Sequence, residues 1–183
     1  LELHVFAAAV AALLLTPGPT NTLVALAGAA GGPHGAAKAA AAECFAYAVS
    51  VGMIALAAGP LIAAHPVLQK AITIAAGWFV LVLAFRLWRV AAASSGRTVT
   101  PGLVFATTLL NPKGLVFGLA LLPAAGAAAL PLRYAVFLAL VALSGAAWGL
   151  FGVMAGARGG LPLLSRTGAV VLAVAGVSVL ASA

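Results

Sequence analysis

The sequence predicts an all-α membrane protein: six transmembrane helices arranged as two inverted three-helix repeats, the first helix of each repeat broken by a Pro motif. Three observations predict it. Of 183 residues, 65% are apolar and only 6% are charged, whereas a soluble domain is roughly half apolar and about a quarter charged. Apolar runs long enough to cross a bilayer follow one another, separated by turn-forming residues. Polar strings built around proline interrupt the first run and the fourth.

The six runs are roughly 3–30, 36–64, 66–88, 101–123, 132–157 and 163–183. Each is near or above the ~20 residues that carry a helix across ~30 Å of hydrocarbon. Gly31-Gly32-Pro33, His65-Pro66, Ser94-Ser95-Gly96, Leu130-Pro131 and Gly159-Gly160 stand between them. A period of two is absent, and backbone polar groups in lipid must be satisfied within the segment, so the runs are helices. The start carries Glu2 where a signal peptide has a basic region, so the first run is expected to be a retained helix, with some residues expected to precede Leu1. Residues 1–183 form one transmembrane domain.

Shifting the chain by 93 residues aligns Pro19 with Pro112, Leu26 with Leu119, Ala27 with Ala120, Gly52 with Gly145 and Gly59 with Gly152. In so alanine-rich a chain the proline and glycine matches carry the weight. Repeat one is then about 1–93 and repeat two about 94–183, with three helices each. An odd number of helices per repeat inverts one repeat relative to the other, a common transporter design.

The net charge is +7, nine Lys or Arg against Glu2 and Glu43. The basic residues are scattered singly at the ends of apolar runs, with no basic stripe or stacking aromatics, so nucleic acid is not the expected partner; lipid is. Loops one, three and five hold Lys38; Arg86, Arg89 and Arg97; and Arg158 and Arg166, six charges against Lys70 and Arg133 on the other side. The positive-inside rule puts those three loops in the cytoplasm and both termini outside. Trp88 and Tyr134 lie near segment ends, as interfacial aromatics do. Cys44 is the only cysteine, and His4, His34 and His65 lack ligand spacing, so neither a metal nor another cofactor is expected. No nucleophile–base pair or phosphate loop suggests an enzyme.

Gly145, Gly149, Gly152 and Gly156 share one face of the fifth helix, and Gly114 and Gly118 form a further G-x-x-x-G. Such faces let helices approach closely. Packing within the chain is the first reading; a homo-oligomer through these faces is the second.

Thr16-Pro17-Gly18-Pro19-Thr20-Asn21-Thr22 cannot continue a regular helix, since proline removes a donor and clashes with the preceding turn. Non-helical backbone at membrane depth survives only where protein or water satisfies it. We read the string as a functional break rather than a plain kink. A second half-helix starts from about Thr20, its free N–H groups favour a carboxylate, and Thr20 or Asn21 is expected to cap it. Asn111-Pro112-Lys113 falls at the repeat-equivalent place, and Lys113 must face a polar interior, find a partner or snorkel to an interface. The two breaks are expected to meet, with Asn21 and Asn111 as polar partners, so that Pro17, Gly18, Pro19, Thr20, Asn21, Asn111, Pro112 and Lys113 bound a substrate site. Glu43, with Tyr47 at i+4 and Ser50 at i+7 on its helix face, is either deep in the second helix, where it can carry a proton or hold a substrate amine, or in an interfacial turn.

At these motifs the chain resembles the LysE superfamily of bacterial exporters, whose relatives include the homoserine/threonine exporters. Thr16-Pro17-Gly18-Pro19 with Asn21-Thr22, the turn Gly31-Gly32-Pro33-His34-Gly35, the stretch from Gly77-Trp78 to Arg86-Leu87-Trp88-Arg89, and Leu110-Asn111-Pro112-Lys113 running to Leu121-Leu122-Pro123 match in order. Ala42-Glu43-Cys44-Phe45-Ala46-Tyr47 and the residues after Pro123 depart from the family pattern. The resemblance implies a bacterial inner-membrane location and efflux of amino acids or similar small polar metabolites, driven by the proton gradient. The rival readings are a non-transporting assembly or interaction protein and a passive channel.

Overall fold

Helix formation stops where proline forces it to stop. The computed structural model describes residues 2–58, 61, 64–92, 99–123, 127–158 and 161–181, and every regular element among them is helical. Helix α1 (Leu3–Leu15) ends at Thr16, whose backbone is extended, and Gly18 is extended as well. Helix α2 (Pro19–Met53) then begins on a proline, where the missing N–H costs nothing because the first turn has no acceptor for it.

Inside α2 the chain turns back. Gly32 has φ 61° and ψ −157°, a region open essentially to glycine alone, and Pro33 follows. A Cβ added at Gly35 would strike the carbonyl of Ala27, whereas a straight helix holds residues eight apart at ~12 Å. The helix is thus a hairpin with arms over 19–31 and 33–53. The second arm runs on as π-helical turns at Ile54–Ala58.

Helix α3 spans Pro66–Ala92. Helix α4 (Pro101–Leu109) opens with Pro101, and the Thr100 hydroxyl caps it by accepting from the Leu103 N–H at 3.2 Å. After Leu110 and Asn111 the chain re-enters helix at α5 (Lys113–Leu115), continued by π-helical turns Val116–Leu121, and the two pieces are bent by 56°. Helices α6 (Leu130–Ala157) and α7 (Leu161–Ala181) complete the chain. Among the described residues, four helical stretches are long and apolar enough to cross a membrane, and the bent pair of α4 and α5 makes a fifth if counted as one span. With its 13 residues, α1 is shorter than a span.

The bundle is built around α6. Its glycine face lies against α2: a Cβ at Gly145 would meet Ala40 and Glu43, one at Gly149 would meet Ala36 and Val24, one at Gly152 Ala25, and one at Gly156 Ala29. From Gly145 to Gly156 the partners on the second arm run backward, from Glu43 to Ala36, while those on the first arm run forward, from Val24 to Ala29, as a hairpin requires. Gly118, against Ile54 and Val51, is likewise used within the chain. These close approaches are intramolecular, so an oligomer built on the same glycines would have to displace α2.

Helices α3 and α7 pair antiparallel, with Gly77 against Leu180, Gly176 against Leu81, and Gly168 against Leu87 and Thr22. One core cluster joins Phe6, Val10 and Leu14 to Tyr47, Phe117 and Phe137; a second joins Leu23, Val24 and Ala39 to Val80, Leu83 and Leu172. The end of α6 lies beside Ala29 of the first arm, and the start of α7 and the later part of α3 meet beside Thr22; Arg86 and Arg89 stand late in α3, Arg158 just after α6 and Arg166 early in α7. Arg97, Gly59, Ser94-Ser95-Gly96 and Gly159-Gly160 lie outside the described residues. Arg133, expected in an exterior loop, is instead 2% exposed. It donates to the Leu121 carbonyl at 3.2 Å and covers the Phe6 ring at 4.9 Å.

Candidate functional site

Ending a helix in an apolar setting frees carbonyls that need donors. At the end of α1 three side chains supply them. The Lys113 ammonium donates to the carbonyls of Leu13 and Thr16, both at 2.7 Å. The Asn21 amide donates to Leu14 at 2.6 Å and to Thr16 at 3.1 Å. The Ser144 hydroxyl, from α6, lies 3.3 Å from the Leu14 carbonyl. Thus a lysine from the second break satisfies the first, although ~100 residues separate them in sequence.

A second polar cluster binds the breaks together. The Asn111 amide donates to Thr20 Oγ1 at 3.1 Å and to Tyr47 Oη at 3.0 Å, and its Oδ1 accepts from the Lys113 backbone N–H at 3.1 Å. The Thr108 hydroxyl lies 2.8 Å from the Val104 carbonyl and 3.3 Å from Thr20 Oγ1. Thr20, Tyr47, Thr108 and Asn111 are all buried. A buried amide with both donors used holds its neighbours in one arrangement, because each lost bond leaves a costly unpaired group.

Two expectations are corrected here. Neither Thr20 nor Asn21 caps α2, whose N-cap is Gly18 without a side-chain bond. Asn21 turns backward instead, its amide N–H groups donating to the carbonyls that the end of α1 leaves free. Asn21 and Asn111 are also not bonded to each other: Asn111 finds its partners in Thr20 and Tyr47.

Beside the breaks lies a cavity of about 440 Å³. One wall is Thr16, Pro17, Gly18 and Pro19 with Asn111, Pro112 and Lys113; the other is Val80 of α3 and a run of α7 from Val170 to Val179. Gly18 leaves Lys113 room, since a Cβ there would come within 3.3 Å of Nζ. A tract of fixed polar groups facing a valine wall can hold a small molecule by one polar end and one apolar end.

Glu43 is 1% exposed, so it does not sit in an interfacial turn open to solvent. It faces α6, where a Cβ at Gly145 would lie 2.8 Å from its Oε2. Among the described residues, neither of its oxygens has a hydrogen-bond partner. Glu43 and Tyr47 are not among the residues lining the cavity; Tyr47 reaches the site through Asn111, and Lys113 is the charged group whose field reaches Glu43. Ser50, on the same helix face, also has a buried hydroxyl without a hydrogen-bond partner among the described residues.

Thr108 and Ser144 belong to this arrangement and were not singled out in the sequence. Thr108 stands three residues before Asn111, the only signal that could have found it. Ser144 stands beside Gly145 on a helix with few other polar residues. No family model, curated protein or solved structure matches the chain.

Proposed function

We propose that this protein is a secondary exporter of amino acids or related small polar metabolites, of the LysE superfamily type, working in a bacterial inner membrane by alternating access. The observation that carries the reading is the meeting of the two helix breaks: Lys113 ties the end of α1, Asn111 bonds Thr20, and a cavity opens beside both. Interrupted helices are costly in lipid, and they are useful where a solute needs polar backbone and side-chain groups away from water.

The six-span, two-repeat arrangement belongs to this proposal. In it, α1 and the first arm of α2 make one broken span, and α4 with α5 makes its repeat equivalent. The second arm pairs with α6 as the middle helices, and α3 with α7 as the last ones. Support comes from the reversal at Gly32 and from the equivalence of the two Pro motifs; this arrangement would bring Arg86, Arg89, Arg158 and Arg166 to one end of the bundle. The same arginines are the basis for placing that end in the cytoplasm and both termini outside.

Glu43 is assigned proton coupling rather than the substrate amine, because it lies off the cavity lining, buried and unpaired. An unpaired carboxylate is costly to bury as an anion. That cost couples its protonation to any movement that changes its surroundings.

Counterflow in proteoliposomes tests the reading. Vesicles loaded with an unlabelled amino-acid mixture are expected to accumulate labelled solute above the outside concentration. A passive channel equilibrates without overshoot, and a scaffold does neither; either outcome overturns the proposal.

A further inference from the structure

The charges around the cavity define what it can hold. Among the described residues, Lys113 is the one charged side chain on its lining, and two of its three N–H donors are used by Leu13 and Thr16, leaving the third. The chain has two carboxylates in all. Glu2 stands at the exposed N-terminal end, 3.4 Å from His4, and Glu43 is turned toward α6. The cavity therefore offers an anion one fixed cation, and offers a second positive charge nothing. The α7 side of the cavity is Val170, Val171, Val174, Ala175, Ser178 and Val179, with Val80 from α3; it is apolar apart from the Ser178 hydroxyl, and Val170 and Val174 are half exposed at its open edge.

We infer that the cavity takes an amino acid with a branched aliphatic side chain, its carboxylate on the Lys113 ammonium and its side chain on the valine wall. The inference rests on the exporter reading and narrows its substrate. The α-ammonium of such a solute needs no protein carboxylate, because its own carboxylate accompanies it. A lysine or arginine side chain would bring a charge with no partner into an apolar wall, and a glutamate side chain would bring a second anion with no second cation. Burying either without a partner is disfavoured. Glycine and serine would fit but leave the valine wall unfilled. A pocket gains roughly 10- to 200-fold in selectivity for each methylene it is shaped to hold.

The test is a counterflow panel on the wild-type protein in proteoliposomes, with labelled leucine, valine, glycine, lysine and glutamate presented separately. Leucine or valine is expected to exchange at least about tenfold faster than glycine, lysine or glutamate. The double variant V171A/V174A is expected to lower leucine exchange about tenfold or more. A second readout needs no transport: leucine, unlike lysine, should raise the melting temperature of the solubilised wild-type protein, so the inference stands even if the double variant does not fold. Exchange of lysine or glutamate at the rate of leucine overturns this inference and leaves the exporter reading intact. Exchange of none of the five, with no melting shift, overturns both.

Discussion

Lys113 joins two duties in one side chain. It caps the end of α1 by bonding the Leu13 and Thr16 carbonyls, and it stands on the cavity lining. Lys113→Ala is expected to lower counterflow at least tenfold and also to lower stability, since the part-buried Leu13 carbonyl loses its lysine donor, at a cost of about 1 kcal/mol, while Thr16 keeps the Asn21 amide. Melting of the purified variant measures the second effect; an unchanged melting temperature would show that the cap is not made. Glu43 differs, because its side chain has no hydrogen bond to lose among the described residues. Glu43→Gln is expected to fold normally and keep substrate exchange while losing efflux driven by an imposed pH gradient. Undiminished gradient-driven efflux in that variant ends the coupling role.

At the scale of elements, two glycines separate two causes of instability. A Cβ at Gly32 meets nothing within 4 Å, so Gly32→Ala disturbs only the backbone, whose φ of 61° a Cβ opposes. About 1–3 kcal/mol is expected to be lost. Gly152 is the reverse case: its backbone is ordinary helix, but a Cβ would run into the Ala25 carbonyl. Gly152→Leu must force α6 away from α2 and is expected to cost more than Gly32→Ala, with both read as loss of melting temperature in the same detergent. Equal losses would mean that α6 and α2 are not in such close contact.

The same elements show what a sequence carries. Pro17, Pro19 and Pro112 were legible because proline acts through its own covalent geometry, wherever the chain goes. The turn at Gly32-Pro33 was legible for the same reason, and the glycine face of α6 from its spacing alone. The direction of Asn21 was not, because its acceptors exist only once α1 has ended just behind it. Nor was the burial of Arg133, which depends on Phe6 and Leu121 arriving from two other elements. The side of its helix that Glu43 presents to a neighbour was equally hidden, since Gly145 lies about 100 residues away.

The whole molecule makes one further expectation. Reporter fusions at Ser95 and after Ala183 should report opposite sides of the membrane, with Ser95 cytoplasmic. A cytoplasmic C-terminus would remove both the orientation and the inverted repeats that depend on it.

Where α6 crosses the hairpin, backbone rests on backbone: Gly152 on Ala25 and Gly156 on Ala29, with no side chain between. Interlocked side chains resist sliding, because drawing one from its socket opens a void. A contact without sockets acts as a plain bearing. It is close enough to keep two helices together and smooth enough for one to roll or slip on the other by a fraction of a turn. At Gly152 and Gly156, α6 can therefore shift on the first arm without drawing a side chain from a socket.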